Sequence, residues 1–132
     1  MKINYIECKE CSDVLFSFNR HDYKQCTCGK SFIDGGFDYS RYNGKLLTEE
    51  IKNVMSLISK QFIWGQNYDE NNNRLSKTIY KPLKDLSTSH ISGIIRYLLD
   101  NIPVNEDKYF ISPQMKAYLT IFSYELEHRL KS

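Results

Sequence analysis

The chain of 132 residues has no cysteine beyond position 28, no apolar run long enough to span a membrane, and no surplus of either charge. The first absence concentrates all thiol chemistry in one segment. The second excludes a transmembrane helix, and the residues after Met1 lack the apolar h-region of a secretory signal, so the expectation is a cytoplasmic protein with reduced thiols. The third weakens any argument from bulk charge: 18 Lys and Arg face 16 Asp and Glu, a formal +2. Four zinc-bound thiolates would bring the net to 0. Catalytic signatures are missing as well. There is no Gly-x-Ser-x-Gly, phosphate loop, His-Glu-x-x-His or dinucleotide fingerprint, and the histidines are only His21, His90 and His128. The expected protein is not an enzyme.

Two close cysteine pairs stand out against this background. Cys8-x-x-Cys11 and Cys26-x-Cys28 are separated by 14 residues. Pairs at this spacing form tight knuckles that together offer four thiolates to a structural Zn2+, with no open position for water. His21 lies five residues before Cys26 and is the alternative ligand, or a partner that orients a ligand. Short segments flank each knuckle: Asn4-Tyr5-Ile6 and the run from Val14 to Phe18 around the first, His21-Asp22-Tyr23 and Ser31-Phe32-Ile33 around the second. Strand, knuckle, strand, strand, knuckle, strand is a zinc-ribbon order. Residues 1–44 are therefore read as a zinc-ribbon-like β module. A core of that size is too small to hold without metal.

Residues 45–132 read as a mainly helical α/β module. Thr48 looks like an N-cap with Glu49 and Glu50 in the first turn of a helix carrying Ile51, Val54, Met55, Ile58 and Phe62. The Asn-rich loop at 69–73 separates residues 62–68 and 75–83, which are spaced to pair as a β-hairpin with Pro82 at an edge. Ser87 caps the clearest helix, with Leu86 and Ile91 as a hydrophobic staple, an apolar stripe from Ile91 to Ile102, and a stop at Pro103. Ser112-Pro113 opens the last helix. Met115, Leu119, Phe122, Leu126 and Leu130 are expected to line its buried face, with Glu125 and Arg129 paired on its surface. The fold class is α+β, with the ribbon packed on or linked to the helical part.

Two resemblances follow from these residues. Cys-x-x-Cys, Arg20-His21-Asp22, Cys26-x-Cys28-Gly29 and Asp34-Gly35-Gly36-x-Asp38-Tyr39 resemble a family of small, functionally uncharacterised zinc-ribbon-like proteins of bacteriophages and their low-GC hosts, over residues 4–44. The second cysteine pair is one residue shorter than the usual Cys-x-x-Cys. Trp64-Gly65, Leu83-x-x-Leu86-Ser87-x-x-His90-Ile91 and Glu125-Leu126-x-x-Arg129 more loosely resemble a module of small phage proteins without assigned chemistry. The resemblance implies phage or prophage origin and, for proteins of this class, inhibition of a host or defence protein such as a CRISPR nuclease.

Two modes of binding compete. A protein partner would use Tyr39, Tyr42 and the Phe16–Phe18 strand as contacts. Sequence-independent nucleic-acid binding would use Arg74, Lys77, Tyr80, Lys81 and Lys84, four cations with an aromatic ring and no acid among them. A free edge on the ribbon or on the 75–83 strand offers a route to a homodimer.

Overall fold

The computed structural model describes residues 1–37, 39–68, 71, 73–102, 104–105, 108–109 and 111–131, with backbone alone at 104–105 and 108–109. The expected stop at Pro103, Asp38 of the motif, and Asp69, Glu70 and Asn72 of the loop lie outside these residues. Among the described residues the order is β1 (Lys2–Glu7), β2 (Val14–Leu15), β3 (Lys24–Gln25), β4 (Phe32–Asp34), β5 (Arg41–Asn43), β6 (Lys45–Glu50), α1 (Met55–Gln61), β7 (Ile63–Tyr68), β8 (Arg74–Pro82), α2 (Thr88–Asp100), β9 (Val104–Asn105), β10 (Lys108–Tyr109) and α3 (Pro113–Lys131). The class is α+β.

The ribbon order is present. β1 and β2 flank the first knuckle and pair antiparallel, and β3 and β4 flank the second. β1 and β2 belong to the three-stranded sheet β2-β1-β6, and β3 and β4 to the three-stranded sheet β3-β4-β5. The strand expected from Val14 to Phe18 covers only Val14–Leu15.

Residues 45–50 depart from expectation. They form strand β6, which pairs with the whole of β1 from Lys2↔Glu50 to Glu7↔Lys45. Thr48 therefore caps no helix. Its hydroxyl bonds the Asn4 side chain across the sheet at 2.7 Å. The helix starts later, at Met55, after a 3-10 turn at Ile51–Asn53. The local pattern of Thr48-Glu49-Glu50 favours a cap, but six cross-strand pairs with β1 outweigh it. The same pairing carries the β1 sheet across the expected 44/45 boundary.

The core crosses it too. An aromatic chain runs from β1 to α3: Tyr5 stacks on Phe16 at 4.7 Å between centroids and Phe16 on Phe18 at 5.8 Å, and Phe18 meets Phe62 edge-on at 4.9 Å. Phe62 then contacts Tyr118 at 5.1 Å and Phe122 at 5.3 Å. Each such pair adds roughly 0.5–1.5 kcal/mol beyond its buried area. Ile51, Ile58, Leu83, Leu86, Ile91, Ile94, Leu98 and Ile121 complete this core. Gln61, at the end of α1, fastens it to the ribbon, donating to the Val14 carbonyl at 2.7 Å and accepting from the Phe16 N–H at 3.2 Å.

The hairpin forms as expected, with Ile63↔Pro82, Trp64↔Lys81, Gly65↔Tyr80 and Gln66↔Ile79 in register and an irregularity beyond Gln66. Both later caps hold: the Ser87 hydroxyl accepts from the His90 N–H at 3.1 Å, and the Ser112 hydroxyl from the Met115 N–H at 3.1 Å. The buried face of α3 is rotated from the one expected. Ala117, Ile121, Phe122 and Glu125 are buried, Met115, Leu119 and Leu126 are half-buried, and Leu130 is 72% exposed. The Glu125–Arg129 pair is correspondingly not a surface pair. Glu125 is only 9% exposed and bonds the Arg129 Nε at 3.0 Å. The same guanidinium donates to the Leu86 and Leu83 carbonyls, the latter at 3.1 Å, so one cation serves the buried acid and the end of a 3-10 turn.

Candidate metal centre

Two knuckles of equal span build the site. In the first, the Cys8 N–H bonds the Asp13 carbonyl at 2.9 Å; in the second, the Cys26 N–H bonds the Ser31 carbonyl at 3.0 Å. Both close a six-residue frame from i to i+5. The shorter Cys26-x-Cys28 pair therefore keeps the frame and moves its second sulfur one position earlier. In both, the residue after the second cysteine has left-handed backbone: Ser12 at φ 63° and Gly29 at φ 79°. Glycine takes that conformation at no steric cost, whereas Ser12 carries some strain in the tight turn.

The four Sγ atoms all lie within 4.8 Å of one another. Two separations are short, 3.6 Å for Cys8–Cys28 and 3.5 Å for Cys26–Cys28. A tetrahedral thiolate set with metal–sulfur bonds near 2.3 Å has sulfurs roughly 3.8 Å apart, so the cluster fits a metal ion with little movement. Cys8 and Cys26 are buried, Cys11 is half-buried and Cys28 is exposed. No oxidised pair links them.

The sulfurs are prepared unequally for ionisation. The Cys11 N–H and the Ser31 side chain favour the Cys8 thiolate and lower its pKa to about 6. Burial opposes ionisation of Cys26 most strongly, but the Ser31 N–H, 3.2 Å from its sulfur, and hydrogen bonds from the Cys28 and Cys11 side chains together outweigh it and lower the pKa. The Lys30 N–H favours the Cys28 thiolate, yet desolvation and the neighbouring sulfurs push Cys28 up to about 12. Four thiolates repel one another at this range, and a bound cation removes that repulsion.

Asp13 and Thr27 were not visible in the sequence as site residues. The Asp13 carboxylate accepts from the Thr27 N–H at 2.7 Å and from its hydroxyl at 2.5 Å, buckling one knuckle to the other. Those bonds hold the Asp13 carboxyl below its usual pKa. An acid two residues after Cys11 opposite a hydroxyl between Cys26 and Cys28 was the available signal. His21 is exposed on the turn before β3 and stands outside the cysteine cluster.

The motif around the cysteines has structural work. The Asp22 carboxylate accepts from the Phe18 N–H at 2.8 Å. Asp34 accepts from the Gly35 N–H and pairs with Arg41 at 2.8 Å. At Gly36, a Cβ would lie 2.6 Å from the Asn19 backbone, so the turn at Gly35 and Gly36 closes against residues 17–22 only without one. The Ser17 hydroxyl links the two, accepting from the Gly36 N–H at 2.9 Å and donating to the Asp22 carbonyl at 2.7 Å.

The expected contact residues are placed as follows. Tyr39 and Tyr42 are exposed, but Phe16 and Phe18 are buried at 0% and 3% and offer no surface. Arg74, Lys77, Tyr80, Lys81 and Lys84 are all exposed on or just after β8. Tyr80 and Lys81 alternate across the hairpin, so the ring and that cation face opposite sides. The Tyr80 ring covers Gly65, at 3.2 Å from the position of a Cβ there.

Among the described residues no helix is long and apolar enough to cross a membrane. Residues 1–44 match the family model described as a domain of unknown function, DUF7695. No curated protein and no solved structure matches the chain. The matched segment ends one residue before β6, the strand that completes the sheet of β1.

Proposed function

We propose that the chain is a non-enzymatic binding protein, stabilised by Zn2+ held by Cys8, Cys11, Cys26 and Cys28, that docks on a protein through its exposed tyrosines. Zinc is the metal because four clustered thiolates suit a tetrahedral, redox-silent ion. Such a closed set serves folding and leaves no position for a reacting water.

One observation carries the binding assignment. At least six of the ten tyrosines are exposed, Tyr23, Tyr39, Tyr42, Tyr68, Tyr80 and Tyr97. An exposed tyrosine offers a large apolar ring at little entropic cost and a polar tip that tolerates water before docking. Tyr39 is also prearranged: its hydroxyl donates to the Arg20 carbonyl at 3.1 Å and Arg41 lies over its ring. The resemblance of residues 4–44 to small phage proteins makes a host or defence protein the class of partner. The test is a pull-down with the zinc-loaded protein beside a Tyr39→Ala/Tyr42→Ala variant. A partner retained saturably by the first and lost at least about tenfold by the second supports the reading. A partner held equally by both, or none at all, removes it.

The exposed cations Arg74, Lys77, Lys81 and Lys84 favour a second reading, binding to nucleic-acid phosphates. Labelled single- and double-stranded DNA and RNA titrated across a salt series decide it. Micromolar binding that weakens steeply with salt and vanishes on neutralising Lys77, Lys81 and Lys84 supports phosphate contacts; no binding at low salt excludes them.

A further inference from the structure

Helix α1, the 3-10 turn before it and α3 border an open groove of about 550 Å³. That volume is within the usual range for small-molecule sites. The groove lies on elements that none of the preceding binding assignments uses, and its charge is uneven. The two acids in its wall are already engaged: Glu125 by Arg129 at 3.0 Å and Glu127 by Lys131 at 2.7 Å. Lys52 and Lys60 line the same groove, and among the described residues neither has an acid within ion-pairing distance. Glu50, the acid whose carboxyl Lys52 helps hold low, pairs with the N-terminal amine at 3.0 Å.

The two lysines bracket a pair of hydroxyls. Ser56 and Lys60, four apart on α1, share one side of that helix. Lys52 lies on the 3-10 turn before it, and Ser59 sits beside Ser56, its hydroxyl donating to the Ser56 carbonyl at 3.2 Å. Beside this polar strip lie Met55 and Tyr124, each half-buried and packed against the core. They give the groove a fixed apolar floor.

We propose that this groove binds a phosphorylated small molecule. The phosphate is held by the Lys52 and Lys60 ammonium groups and the Ser56 hydroxyl, and a flat or apolar body lies on Met55 and Tyr124. Two uncompensated ammoniums match a dianion better than a single carboxylate, and lysine binds phosphate as a point charge without demanding one geometry. The apolar floor requires a body that inorganic phosphate lacks. The phosphate of a polymer shares the same chemistry, so the test includes it.

The experiment is an NMR titration of the ¹⁵N-labelled, zinc-loaded full chain with adenosine monophosphate, adenosine, inorganic phosphate and a short oligothymidylate, repeated with Lys52→Gln/Lys60→Gln. Expected is saturable, sub-millimolar binding of the monophosphate that shifts Ser56, Ser59, Lys60 and Tyr124. It should be at least about tenfold tighter than adenosine or phosphate alone, and at least about tenfold weaker in the variant, whose metal content and remaining spectrum are unchanged. No saturable shift at those residues overturns the proposal. So does equal affinity for adenosine, or equal affinity in the variant. Oligothymidylate binding more tightly per phosphate at the same residues replaces the small molecule with a polymer and overturns it too. Loss of partner capture by the tyrosine variant bears on none of these outcomes.

Discussion

The two ends of the ribbon are held by different forces. At the core end, Ile3, Tyr5, Phe16 and Phe18 join the aromatic chain that reaches Phe62 and Phe122. At the knuckle end, Ile6, Cys8, Cys26 and Ile33 are buried but lie outside that cluster. Apart from the ends of β1 and β6, their neighbours are strands of two or three residues and a set of mutually repelling sulfurs. The core end has enough apolar surface to fold on its own account. The knuckle end has too little, and in the proposed function the ion supplies the difference. A small protein can thus place a rigid surface well away from its core, provided a metal replaces the missing hydrophobic burial.

The sharpest way to break this comparison is at the hub of the core. Phe62 is fully buried and touches the rings of Phe18, Tyr118 and Phe122. Phe62→Ala leaves a large cavity and is expected to cost about 3–5 kcal/mol. For a chain of this size that lowers the Tm by roughly 10–20 °C in calorimetry. The metal stoichiometry, read by elemental analysis below the lowered Tm, should stay at one per chain. If the variant sheds its metal while folded, the two ends are not separately held.

Metal removal probes the other end. Chelation should raise hydrogen exchange at the Cys8, Ser12, Cys26 and Gly29 amides on the order of 100-fold, about 2.7 kcal/mol of local opening. Amides of Ile58, Ile91 and Ile121 should change far less. Uniform loss of protection across both sets would mean that the metal supports the whole fold; no loss at the knuckles would remove its structural role. Cys8→Ser should reproduce the chelated pattern.

What the sequence shows and hides follows the same division. The cysteine spacing and the Ser87 and Ser112 caps are local signals, and each is found in the structure; of the α2 stripe, Ile91, Ile94 and Leu98 are buried while Leu99 is 52% exposed. Residues 45–50 were misread because their state is decided by β1, whose paired residues lie 38 to 48 positions away in sequence, which no local pattern reports. The face of α3 was misread because a charged residue sits in it. Glu125 is buried only because Arg129 neutralises it while also bonding the Leu83 and Leu86 carbonyls, and those partners come from another part of the chain. Asp13 was missed for a related reason: its partner Thr27 is 14 residues on and meets it only once both knuckles have formed.

Asp13 gives the smallest and most specific test. Its carboxylate bonds Thr27 in the other knuckle, whereas its carbonyl, which accepts the Cys8 N–H, closes its own knuckle. Asp13→Ala removes the first and keeps the second. The Thr27 N–H it releases is exposed and regains water, so the cost should be about 1 kcal/mol rather than the full penalty of a buried orphan. Because the lost bond sets how the two sulfur pairs face each other, metal affinity should fall roughly tenfold in a competition titration with a chromophoric chelator. Asp13→Asn keeps one acceptor oxygen and should recover part of that loss. Affinity within about twofold of the parent in Asp13→Ala would show that the Asp13–Thr27 bond does not set how the two knuckles face each other.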